Sequence, residues 1–175
     1  MSFQHHEYDL MTVLDAEAVG EPGNRRFRLI VGVSGDIVSL WMEKEQLSAL
    51  GVAIEQLIEQ LREAKVVRHT IQAEPAHAEG AVALTGSEYV VSKMAIGFDE
   101  ERNLVAFFAH DIEQEDDAEP TVSGRATLPN SKALAERIAE VIAAGRPRCP
   151  RCGAPIGPEG HVCPHENGHL PWPAE

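Results

Sequence analysis

The feature that most constrains this chain is a cysteine pair near its end, Cys149-Pro150-Arg151-Cys152-Gly153, followed eleven residues later by a third cysteine, Cys163. Three thiols within fifteen residues make a poor disulfide framework, because one is left over. In a reducing compartment their natural use is metal. Two thiolates two residues apart can grip one tetrahedral ion, and the glycine after them lets the backbone turn so that its N–H groups point at sulfur. The surrounding residues, 145–170, hold little apolar material beyond Ala154, Ile156, Val162 and Leu170. Such a segment cannot bury a core of its own and needs the ion to fold. The expected cofactor is one structural zinc per chain.

Three histidines, His161, His165 and His169, compete for the fourth ligand place. Cys163 and His169 are separated by five residues, with Asn167-Gly168 available to bend the chain back, whereas His165 has one residue between it and Cys163, a tight bite. The spacing therefore favours Cys149, Cys152, Cys163 and His169 as the metal ligands, with His165 next and His161 or Glu166 behind it. His165-Glu166-Asn167-Gly168-His169 also satisfies the zinc-peptidase pattern H-E-x-x-H. That pattern works on a helix, where both histidines share a face with the glutamate beside a bound water. Pro164, the Asn-Gly pair, Pro171 and Pro173 oppose a helix here, and thiolates would fill the position that catalysis needs open. No G-x-S-x-G, phosphate-cradling loop or dinucleotide fingerprint occurs either, so no catalytic residues are expected.

Charge places the tail apart from the rest. The formal net charge is −13, from 15 basic and 28 acidic side chains. From Gly145 onward Arg146, Arg148 and Arg151 cancel Glu159, Glu166 and Glu175, so the whole excess belongs to residues 1–144. A body this acidic repels phosphate backbones, which argues against nucleic acid as the main partner. With 43% hydrophobic residues the chain is rich enough for one packed domain, expected over 1–144, beside the metal-binding tail at 145–175. The longest apolar run, 104–109, is far too short for a membrane helix, and the first residues lack the basic and apolar parts of a secretory signal. A cytoplasmic setting is expected.

Along the body, residues 8–19 read as extended, and Phe27, Leu29, Val31, Val33 and then Val38, Leu40, Met42 alternate as a hairpin over 26–42. Leu47, Leu50, Ile54, Leu57 and Leu61 then fall on one stripe, which predicts a helix over 43–65 with a possible kink at Gly51. Glu55, Glu59 and Glu63 line its solvated face. Residues 66–87 form a long connection. A strand ending at the turn 99–103, an apolar partner over 104–112, an acidic hairpin tip and a strand over 121–128 follow. The last helix opens near Asn130 or Ser131 as its cap, carries Leu134, Ile138, Val141 and Ile142 inward, and ends at Gly145. The order is three extended segments and a helix, twice, over 8–65 and 88–144. This predicts an α+β fold: an antiparallel sheet from two βββα units with both helices on one face, plus a small zinc-ribbon-like module. His5-His6-Glu7 reads as a mobile terminus, His69, His77 and His110 as isolated histidines, and Trp41 as packing.

The ending of the chain carries a resemblance. The stretch from Ala143-Ala144-Gly145-Arg146-Pro147-Arg148 through the cysteine pair, then Pro158-Glu159-Gly160-His161-Val162-Cys163-Pro164 and Asn167-Gly168-His169, resembles the bacterial family catalogued as domain of unknown function three-thousand-and-ninety. Val19-Gly20-Glu21-Pro22-Gly23 and Glu43-Lys44-Glu45-Gln46 carry the likeness to the front of the chain. The resemblance implies a mainly actinobacterial origin and no established activity. It implies genes found beside those of a histidine-phosphatase-like and a lipid-kinase-like protein, and metal ligands at Cys149, Cys152, Cys163 and His169. Two functions follow as expectations: a non-catalytic binding or adaptor protein with a protein partner, or an enzyme or enzyme subunit acting on a small anionic metabolite between the βββα halves. In the latter, Arg25, Arg26, Arg28, Lys93, Arg102 and Arg125 would line the pocket.

Overall fold

The computed structural model describes residues 4–21, 23–67, 69–75, 86–145, 149–157 and 160–165. Seven strands and two helices follow one another as β1 (His6–Tyr8), β2 (Val13–Val19), β3 (Arg26–Val33), β4 (Asp36–Met42), α1 (Lys44–Glu63), β5 (Ser87–Asp99), β6 (Leu104–Asp111), β7 (Val122–Thr127) and α2 (Leu128–Ala143). All seven strands form one sheet in the order β1-β7-β6-β5-β4-β3-β2. Each half is an antiparallel meander closed by a helix, β2-β3-β4-α1 and β5-β6-β7-α2, and the α+β expectation of two βββα units matches this order. The halves meet through a parallel pair, Val38–Trp41 of β4 against Ser87–Val90 of β5, which is what a helical crossover through α1 permits.

The segment expected as one extended run over 8–19 takes in only the last residue of β1 and the whole of β2, which lie at opposite ends of the sheet. β1 lies parallel to β7, with His6 opposite Val122, while β2 lies antiparallel to β3. Only four residues join them. The Met11 N–H donates to the Arg125 carbonyl on β7 at 2.7 Å and the Thr12 N–H to the Gly32 carbonyl on β3 at 3.0 Å. A link that short can touch both end regions only if the sheet curls round on itself. The helices confirm the curl: α2 rests on β2 from one end and on β7 and β6 from the other, and α1 packs beside it against β3 and β5. Met11 is buried in the seam, so close to β7 that a Cβ on Gly124 would come within 2.6 Å of its sulfur. His6, expected in a mobile terminus, is instead buried on β1, its Nε2 3.0 Å from the Tyr89 hydroxyl. Burial holds its imidazole below the ordinary histidine pKa.

The concave face supplies the core. Leu29, Val31, Val38, Leu40, Val105, Phe107 and Val122 from the strands join Leu47, Leu50, Ile54, Leu134 and Ile138 from the helices in one cluster. Helix α1 begins as expected, with Glu43 as its cap and the Glu43 N–H donating to the Gln46 side chain. Helix α2 begins earlier than the cap at Asn130 or Ser131 predicted. Thr127 caps it by accepting from the Asn130 N–H at 3.2 Å, because Pro129 is tolerated in a first turn. Trp41 is only half-buried and lies on the outer face, under the guanidinium groups of Arg26 and Arg28 at 4.5 and 5.3 Å from its ring centre.

Gly51 marks the crossing of the helices rather than a kink, since α1 runs unbroken through it. Helix propensity alone favours alanine by about 1 kcal/mol. A Cβ there would lie 2.9 Å from Ile138 Cγ2 and 3.4 Å from its Cβ, and Ile138 is fully buried and stiff at χ1. Overpacking of this kind costs about 1–3 kcal/mol, which outweighs the propensity gain. Gly51→Ala is therefore expected to lower stability by roughly 1 kcal/mol. A higher denaturant midpoint for this variant would show that the helices can part at no cost.

Candidate metal centre

The tail folds around two tight turns. In the first, the Gly153 N–H donates to the Cys149 carbonyl and the Cys149 N–H to the Ala154 carbonyl, both at 2.8 Å, with Gly153 at φ +72°. Only glycine takes that φ without strain. The turn aims N–H groups inward: the Cys149 thiol is held below its ordinary pKa, first by the Cys152 N–H and also by that of Arg151. The second turn closes with the Gly160 N–H donating to the Gly157 carbonyl at 2.9 Å, Gly160 at φ +82°. It delivers His161 and Cys163 to the same point. Burial pushes the Cys163 thiol above its ordinary pKa.

Cys149, Cys152, His161 and Cys163 bring their ligand atoms within 4.8 Å of one another, close enough to bind one metal ion. The three cysteines are unbridged. Two distances test the fit. Tetrahedral zinc with the usual bond lengths sets neighbouring sulfurs about 3.8 Å apart and a sulfur–nitrogen pair about 3.6 Å apart. Cys149 Sγ and Cys163 Sγ are 3.8 Å apart, and Cys152 Sγ lies 3.4 Å from His161 Nε2. The other ring nitrogen of His161 is buried without a hydrogen-bond partner among the described residues.

Of the residues expected at this centre, the structure gathers the three cysteines. His169 lies outside the described residues, as do Glu166 and most of the H-E-x-x-H stretch. His165 is described, exposed, and outside the cluster. Spacing alone placed His161 behind His169 and His165, and the structure brings it into the cluster. The turn residues Gly157 and Gly160 immediately before it were the available signal.

The basic residues expected to line an anionic pocket do not converge. Arg28 pairs with Glu17, Arg102 with Asp9, and Arg125 lies 3.3 Å from Asp99. Lys93 donates to the Asp116 carbonyl at 2.7 Å, and Arg26 covers Trp41. Arg25 alone of the six lines a described cleft, between the start of β3, the first turn of α1, the end of α2 and the tail. Among the described residues no helix is long and apolar enough to cross a membrane.

A family model described as protein of unknown function, DUF3090, covers residues 6–163, both βββα units and all three cysteines. No curated protein and no solved structure matches the chain.

Proposed function

The chain belongs to the DUF3090 family, and from its own residues we propose that it is a zinc-binding protein whose single ion is structural. The observation that carries this is the ligand set itself. Three thiolates and His161 Nε2 fill all four tetrahedral places, so no position is left for a reacting water. His161 is the fourth ligand in this reading, in place of His169. The ion ties two turns that have almost no apolar core, and in doing so it holds the tail against the end of α2. The role we assign to the whole is non-catalytic binding in a reducing cytoplasm. Its support is charge: the −13 resides in the body, and Glu55, Glu59 and Glu63 stand exposed along α1. A basic segment of a partner protein is the class that complements such a surface, and nucleic acid is the class it repels.

Zinc content and peptidase activity of four variants beside the parent test the assignment. His161→Ala is expected to weaken zinc retention against a chelator by more than the ~10–100-fold that loss of a ligand's supporting contact brings. His165→Ala, His169→Ala and Glu166→Gln are expected to keep one zinc. Selective loss in His169→Ala would move the fourth place to that residue. Peptide cleavage by the parent that vanishes in Glu166→Gln, with zinc retained, would replace the structural reading by a catalytic one.

A further inference from the structure

Arg25 reaches from the start of β3 to the far end of α2, where its guanidinium donates to the Ala144 carbonyl. That contact caps a helix C-terminus, a common use of arginine, but it employs one terminal nitrogen. The Nε atom is also buried, and it has no hydrogen-bond partner among the described residues. The same side chain lines the cleft of about 470 Å³ introduced above, a volume typical of small-molecule sites. Phe27, Val141, Ile142 and Pro155 make apolar walls. Lys44 lines it too, at the first turn of α1, where the helix presents the positive end of its dipole. Glu43 and Glu45 stand in the same lining and balance the two basic side chains in formal charge, which disfavours a polyanion and leaves the helix dipole as the excess positive field.

We propose that this cleft binds a small monoanion with an apolar body, its oxyanion head on the Arg25 guanidinium and Lys44 and its body against Phe27, Val141, Ile142 and Pro155. The site belongs to neither half alone: β3 and α1 come from the first βββα unit and α2 from the second. It rests on the metal reading at one wall, since Pro155 stands three residues after Cys152, in the segment the ion folds. Metal loading and anion binding are thereby linked, because an ion that fixes the tail also completes the cleft.

The test is a titration of the full, isotope-labelled chain followed by amide cross-peaks, with zinc content measured on the same samples. The probes are hexanoate and the phosphodiester methyl hexyl phosphate, which separate carboxylate from phosphate recognition, and the uncharged hexanamide. At least one anion is expected to shift the amides of Gly23, Arg25 and Gly145 saturably, with hexanamide roughly tenfold or more weaker, the scale of one charged hydrogen bond. Arg25→Gln is expected to weaken the anion by a similar factor. Because that change also removes the Ala144 contact, Lys44→Gln on the exposed first turn serves as the second variant, expected to bind several-fold more weakly at unchanged Tm. Zinc-loaded protein that shows no saturable shift, hexanamide binding as well as the anions, or both variants binding like the parent would each overturn the cleft while leaving the metal reading intact. Saturable shifts in protein purified without zinc would overturn the metal linkage and leave the anion site standing.

Discussion

Cys149→Ser and Cys152→Ser are each expected to reduce the zinc content from one per chain to almost none and to unfold the tail, while the body keeps its cooperative melting transition. The magnitude follows from what holds the tail together. Structural zinc contributes on the order of 10–16 kcal/mol in small modules at neutral pH, and serine in place of one thiolate forfeits most of it. The described part of the tail has nothing comparable to set against that loss. Cys149 and Cys163 are buried, yet neither joins the cluster that forms the body's core. The tail's walls are its own turns, 149–154 and 157–160, and its reach toward the body is the cleft edge at Pro155. The measurements are metal stoichiometry, limited proteolysis and a thermal melt. New cleavage after residue 145 with a body Tm within a few degrees of the parent is the expected pattern. Collapse of the main transition in both variants would mean that the tail is part of the body's fold and that the boundary at 144 is wrongly drawn.

Helices were legible in the sequence because their signal is local. The 3, 4, 3, 4 spacing of Leu47, Leu50, Ile54, Leu57 and Leu61 places α1 within two residues of its ends. What failed was information carried by distant partners. Nothing between Tyr8 and Val13 marks a break, since Asp9-Leu10-Met11-Thr12 holds neither glycine nor proline. Yet β1 pairs with residues more than a hundred positions away and β2 with its neighbour. The burial of His6 follows from the same pairing and was invisible for the same reason. At the candidate metal centre, C-x2-C and Cys163 supplied three of the four clustered residues. His161 joins the cluster through the turn that closes between Gly157 and Gly160, and spacing alone does not encode that turn. The six basic residues do not converge because each finds an acid, a carbonyl or an aromatic ring near by, and only Arg25 also lines the cleft.

Leu40→Ala is expected to destabilise the body by about 2–5 kcal/mol and to lower its Tm by roughly 6–20 °C. Leu40 is 2% exposed and sits opposite Leu29 on one side and Tyr89 on the other, at the strand pair that joins the two βββα units. Truncation there removes most of a buried side chain from the centre of the curled sheet. The neighbours that would have to collapse into the gap belong to strands pinned on both sides, so little relaxation is available. The form of the transition matters as much as its position. Both helices contact each other, α2 bridges the two ends of the sheet, and the buried residues of both units form one cluster. A single transition, shifted as a whole, is therefore expected by calorimetry and by circular dichroism alike. Two transitions, with only one displaced, would show that the units fold as separate bodies and that the seam at Met11 and Gly124 is a contact between them rather than part of one core. Zinc content measured well below the melt is expected to stay at one per chain in Leu40→Ala, the reverse of the cysteine variants, because the cluster proposed to hold the ion lies within 149–163, outside β4.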